Sequence, residues 1–282
     1  MLSWQLLVAI SVVTNSVSVL LQKVILKDDK TDSIAFSIVF QIFTGLLILI
    51  YSLIRGFSVP NLIPLLPNLV LMTILYGAGN IFIFKALKTS EASQFTIIFA
   101  TRTIWSITAA VLFLGEGFTI KQLLGTALIL SSIVLVAWQD KLKFGKGTLL
   151  SLGAAAFFGL AFANDALIVR NFDVPSYMSI AFIIPALAVW AIFPKSTAKM
   201  KAMLEKEFIK KLGILGVFYA VSALTIFFAY QIGRNAAQIA PLNQTSMILT
   251  VILAIIFLKE KSQLGRKILA SILSFIGVLL LR

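Results

Sequence analysis

ASQFTIIFATRTIWSITAAVLFLGE, residues 92–116, returns 144 positions later as AAQIAPLNQTSMILTVILAIIFLKE, residues 236–260, with no gap between the copies. The identities are Ala92/Ala236, Gln94/Gln238, Thr101/Thr245, Ile104/Ile248, Ala110/Ala254, Phe113/Phe257, Leu114/Leu258 and Glu116/Glu260. About half of the other pairs are apolar on both sides. Self-similarity at half the chain length means two copies of one unit. Each stretch is long and apolar enough to span a bilayer. Near the middle of the first copy sits Arg102, a costly residue at that depth and therefore the first functional suspect.

Composition agrees with the membrane reading. The 282 residues are 60% hydrophobic and 12% charged, with mean hydropathy +1.02; a soluble domain is nearer half apolar and a quarter charged. Cysteine and histidine are both absent. That excludes disulfides, thiol nucleophiles, histidine bases and His- or Cys-ligated metal, and no cofactor is expected. A net charge of +13 could suggest nucleic acid, but the Lys and Arg residues crowd the ends of apolar runs. The membrane interface explains that placement, and no nucleic-acid partner is expected.

Ten apolar spans follow from the pattern: 3–24, 33–54, 67–87, 92–114, 120–138, 148–168, 176–194, 211–231, 236–258 and 264–281. The first lacks a basic leader and a small-residue cleavage site, so it reads as a helix rather than a signal peptide. In 195–210, Met200, Met203, Leu204, Phe208 and Leu212 recur at helical spacing among lysines. That predicts a short helix lying on the membrane surface. A polar linker near 139–147 divides the chain into units 1–140 and 147–282. Ser33-Ile34-Ala35-Phe36 recurs as Ser179-Ile180-Ala181-Phe182, so the repeat covers more than its opening stretch. Five spans is an odd number, so the second unit enters from the opposite side: an all-α, inverted repeat of five plus five helices around a central cavity, with a midplane substrate site. Loop charge counts five Lys and Arg on the side of both termini against eighteen on the other. The positive-inside rule then puts the termini outside and the lysine-rich face on anionic lipid.

Several short groups resemble the EamA-type ten-helix transporters of the drug/metabolite transporter superfamily. They are Gln22-Lys23 closing span 1, Ala86-Leu87-Lys88 closing span 3, Leu114-Gly115-Glu116 with its echo Leu258-Lys259-Glu260, and Gly125 opening span 5. The resemblance implies a basket in which spans 1, 3, 4, 6, 8 and 9 line the cavity, while 5 and 10 pack the units together. It departs in two respects. Ile97 stands where span 4 usually carries proline, although Pro241 keeps it in span 9. The family usually has cytoplasmic termini, opposite to the loop charges.

Arg102 offers a planar fork to a carboxylate or phosphate, or else pairs structurally. Its copy-partner is Ser246, so the charge breaks the internal symmetry. Trp105 follows three residues later on the same helical face, where it stacks on a ligand or simply packs. Asp165, beside Asn164, is open to three roles: partner of Arg102, receptor for a substrate amine, or proton carrier. Glu91, Glu116 and Glu260 are the other acids near the spans, and the recurrence of Glu116 as Glu260 suggests a scaffold role. Further polar residues in the cavity-lining spans are Asn15, Tyr76, Asn80, Thr101 and Tyr219. Asn243, Gln244 and Thr245 form the densest polar run inside a span, just after Pro241. Such groups either bind a polar solute or join helices. The glycines at 77, 79, 153, 159, 213 and 216 read as close-packing positions.

The expected function is secondary transport of a small polar metabolite by alternating access, an amino acid or related zwitterion or anion foremost. Export of nucleotide sugars, sugar phosphates or drug-like compounds is the alternative. A polytopic lipid enzyme lacks the acidic or metal-binding cluster it needs, and a channel lacks a selectivity filter. The expected partners are a small-molecule substrate and membrane lipid, in a multi-pass monomer or homodimer.

Overall fold

The computed structural model describes residues 3–28, 31–114, 119–137, 145–169, 172–203, 205–233 and 236–280. They are helical, with short connections. The first copy contributes α1 (Trp4–Leu26), α2 (Ser33–Arg55), α3 (Leu66–Thr89), α4 (Ala92–Phe99), α5 (Arg102–Leu114) and α6 (Ile120–Ala137). The second contributes α7 (Lys146–Ile168), α8 (Val174–Ile192), α9 (Ser196–Ala202), α10 (Lys206–Gly233), α11 (Ala236–Phe257) and α12 (Leu264–Leu280). Among the described residues, six segments are long and apolar enough to cross a membrane, within α1, α2, α3, α7, α8 and α10.

Local chemistry sets the ends. Ser3, Asp32 and Asp173 accept hydrogen bonds from the first free N–H groups of α1, α2 and α8, as capping oxygens do. Gly56 closes α2 at φ 98°, a left-handed position where a side chain is strained. Asp32 also receives the Lys199 ammonium at 2.8 Å. Burial pushes its carboxyl up, but the Lys199 hydrogen bond and the N–H groups of Ala35 and Ile34 outweigh that and hold it below its ordinary value.

Two expectations are corrected. The stretch 92–114 is not one helix: α4 ends at Phe99 and α5 begins at Arg102. Thr101 Oγ1 donates to the Ile98 carbonyl at 2.8 Å, and the amides of Ala100, Thr101, Thr103 and Ile104 reach back only three residues. The hydroxyl competes with the helical ladder and tightens the chain there. The copy carrying Pro241 runs unbroken as α11. Nor is 195–210 one surface helix. α9 stops at Ala202, and Phe208 and Leu212 already belong to α10. Met203 and Leu212 are buried, and Phe208 meets Phe36 edge-on at 6.3 Å, so this apolar face meets protein rather than lipid. Leu204 lies outside the described residues.

The two copies interleave. α3 packs along α7 and α1 along α10, α2 meets α8, and α6 meets α12; α5 lies on α7 and α11 on α1. Exchanging the copies maps these contacts onto one another, α3–α7 onto α10–α1 and α5–α7 onto α11–α1. Glycines allow the close approach. Gly79 of α3 faces Phe158, and Gly153 of α7 faces Phe82, so each helix receives a phenylalanine from the other. Gly213, read as a packing position, instead has nothing within 4 Å of where a Cβ would stand.

One end of the bundle is plugged. Leu26, Phe36, Leu87, Ala92, Phe95, Leu215 and Ala254 form a buried cluster there with side chains from both copies. Glu260, 6% exposed, reaches across to the start of α4. It accepts from the amides of Ala92 and Ser93 at 2.7 and 2.9 Å and from the Ser93 hydroxyl at 2.5 Å. Lys267 of α12 pairs with Glu91, and Lys23 donates to the carbonyls of Leu87 and Ser90 at 2.7 and 2.6 Å. The scaffold role expected for Glu260 takes this form; Glu116 lies outside the described residues.

Candidate functional site

Above the plug lies a cavity of about 200 Å³. α1, α3, α4, α5, α7, α10 and α11 line it, α2 adds Phe40, and α8 adds Tyr177, Met178, Ala181 and Phe182 although its span was not expected to line the cavity. Among the described residues neither α6 nor α12 contributes to the lining; they pack on each other instead. The broken fourth span shapes this wall. α4 supplies Phe95, Thr96 and Phe99, the chain tightens at Thr101, and α5 opens with Arg102 facing the cavity. Gly159 of α7 fixes that position, because a Cβ there would meet the Arg102 carbonyl and the Cβ of Trp105. The guanidinium lies 4.6 Å from the Phe99 ring centroid and 5.7 Å from that of Phe162, within range of both aromatic faces.

Asp165 lines the same cavity and is 4% exposed. Oδ2 accepts from the Tyr76 hydroxyl and Oδ1 from the Tyr177 hydroxyl, both at 2.5 Å. The partnership with Arg102 raised by the sequence is therefore replaced by two neutral donors on α3 and α8. Asn80 donates to Gln41 at 3.1 Å and lines the cavity beside Tyr76. Tyr219 sits between Phe40 and Phe182, with centroids 5.0 and 5.8 Å away. On the far wall the hydroxyls of Ser11 and Ser222 each donate to the other residue's carbonyl, at 3.0 and 3.1 Å, and Ser11 is 3.4 Å from Asn243 Oδ1. The Thr96 hydroxyl, in the wall and buried, has no hydrogen-bond partner among the described residues.

Of the residues singled out from the sequence, Arg102, Asn15, Tyr76, Asn80, Asp165, Tyr219 and Asn243 line the cavity. Four are placed elsewhere. Asn164 joins helices, accepting from the Asn68 amide at 2.7 Å and donating to the Asn68 carbonyl at 2.9 Å. Thr101 and its repeat partner Thr245 each donate to the carbonyl three residues back, at 2.8 and 2.6 Å. Trp105 is 43% exposed and lies outside the lining. The side chain of Gln244 lies outside the described residues. Sequence reasoning missed Tyr177, Gln22, Thr96 and the phenylalanines. Tyr177 stands only three residues into α8, on a span not expected to line anything. The phenylalanines were not singled out, since apolar residue type does not separate a cavity wall from any other face of a span.

The family model of the EamA-like transporter family matches residues 2–138 and, a second time, residues 145–282. The chain belongs to this family. The EamA-like repeat thus occurs twice, as the copied stretch required, and the protein is a multi-pass integral membrane transporter of the drug/metabolite superfamily. A solved crystal structure of a protein with 12% sequence identity is similar at TM-score 0.59, over 98% of this EamA-like chain and 95% of its own, a likeness of fold alone. No curated protein matches the sequence significantly.

Proposed function

We propose that this EamA-like protein moves a small polar metabolite, an amino acid or a related zwitterion or anion foremost, by alternating access between two five-span units, 1–140 and 147–282. The units would be inverted, giving ten spans, with α4 and α5 together forming the fourth and α9 an insertion between the seventh and eighth. The symmetric exchange of contacts between copies supports this reading. One observation carries the substrate class: a guanidinium, held over two aromatic rings, lines the cavity between the helices. Such a fork suits a carboxylate, and desolvation strengthens the attraction. The Thr96 hydroxyl, unpartnered among the described residues, adds a polar group to the same cavity. A polyphosphate would want more than one basic group there. The phenylalanine lining favours a second reading, a drug-like apolar substrate.

Thermal shift of the purified protein against amino acids, amines, sugars, phosphorylated metabolites and apolar drugs separates these readings, since ligand bound to the folded state raises its stability. Carboxylate-bearing compounds are expected to shift the wild type and not Arg102→Ala, with Arg102→Lys between them. Liposome uptake should then saturate and show counterflow. If both variants fold, bind and transport like wild type, Arg102 is no substrate ligand and the apolar reading takes over.

A further inference from the structure

We infer that Asp165, held by Tyr76 and Tyr177, is a second subsite of the cavity that receives the ammonium group of a zwitterionic substrate, and so makes the protein select amino acids over the matching carboxylates. The inference rests on the reading of Arg102 above as the carboxylate subsite.

A carboxylate 4% exposed among phenylalanines carries a large desolvation cost. Its hydrogen-bond partners are two phenol hydroxyls, which solvate the charge and leave it uncancelled. Both contacts come from outside α7, from α3 and α8, and each fixes one oxygen. Two donors on two helices hold the carboxyl plane in one orientation, which helix association alone does not require. Each oxygen keeps lone-pair capacity for a further donor, since an ionised carboxylate accepts about four hydrogen bonds.

The cavity also contains the positive charge of Arg102, and Asp165 bonds the tyrosines rather than the guanidinium. One positive and one negative group lining the same cavity are the complement of a zwitterion. The phenylalanines Phe158 and Phe162, also in this lining, flank the pair. Aromatic faces attract an ammonium ion as well as an apolar side chain. A free carboxylic acid leaves Asp165 without its cation and is penalised by that buried unmatched charge.

The test uses purified full-length protein and matched probes: leucine, 4-methylpentanoate, 3-methylbutylamine and N-acetylleucine, with the equivalent alanine and phenylalanine sets. The wild type is expected to bind the best amino acid at least about tenfold more tightly than its deaminated and N-acetylated forms, the worth of one charge-assisted hydrogen bond. Asp165→Asn should abolish the preference, so that amino acid and carboxylate bind with about equal affinity. Tyr177→Phe, which keeps the acid but removes one of its donors, should narrow the preference severalfold. If the wild type binds the carboxylates as tightly as the amino acids, the subsite is overturned while the Arg102 reading stands. The same holds if Asp165→Asn keeps the full preference. If binding of every carboxylate and amino acid survives Arg102→Ala, the earlier reading fails as well. Should Asp165→Asn not fold, the wild-type ratios and Tyr177→Phe decide.

Discussion

Replacing Gly159 by alanine adds a single methyl group at the point where α5 crosses α7. That Cβ would stand 2.6 Å from the Trp105 Cβ and 3.1 Å from the Ser106 amide, closest of all to the Arg102 carbonyl. None of these atoms can swing aside by a rotamer change. Ordinary contact begins near 3.4 Å, so α5 must back away by about 0.8 Å or more. Overpacking of this kind costs about 1–3 kcal/mol, corresponding to a fall in Tm of roughly 5 °C for a chain of this size. The guanidinium moves with α5, and a displacement near 1 Å is enough to cost on the order of 100-fold where geometry is demanding. Thermal unfolding and probe binding on the same preparation read both effects. Gly213→Ala is the control: the site is open, and helix propensity alone should stabilise it by up to about 1 kcal/mol. A Gly159→Ala protein as stable as wild type and with unchanged carboxylate binding would refute the packing that positions Arg102.

Glu260→Ala should destabilise by about 2 kcal/mol, measured by thermal unfolding, because two buried amides and a hydroxyl lose their acceptor. Asp32 is held below the ordinary carboxylate value, so its contribution is present above that value and fades as pH falls through the lower folded one. Comparing Tm against pH for wild type and Asp32→Asn should therefore give curves that converge only below about pH 4. Lys259 sits at φ 57° where the first copy has Gly115. Lys259→Gly should gain about 0.5 kcal/mol in a denaturation series, left-handed strain outweighing glycine's entropy. A cysteine at Lys201 should resist impermeant thiol reagent in intact cells if the loop charges set the orientation; labelling would support the family's usual one.

Much of the architecture was legible because apolar length and internal repetition survive without an alignment. The copied stretch implied the duplicated unit, and the ends of the spans fall within a few residues of where hydropathy stops. What escaped depends on which neighbour a side chain meets. Met203, Phe208 and Leu212 have the same period whether their face covers lipid or Phe36. The interruption at Thr101 turns on one hydroxyl choosing the Ile98 carbonyl, and nothing in residue type separates Thr101 from Thr245, which makes the same bond inside an unbroken helix. Arg102 and Asp165 were visible as charges in apolar spans. Their separate surroundings were not, since Tyr177 comes from a different helix, twelve residues further along the chain.

The clasp by Glu260 also bears on how the protein is made. The amides of Ala92 and Ser93 emerge from the ribosome 168 and 167 residues before the carboxylate that satisfies them. α1 and α3 likewise wait for α10 and α7. The first unit is therefore inserted with its partners still unsynthesised, and its docking surfaces stay open through most of translation. Contacts of such long sequence separation form late and slowly. Two separately expressed half-chains should consequently be degraded singly and rescue each other when produced in the same membrane.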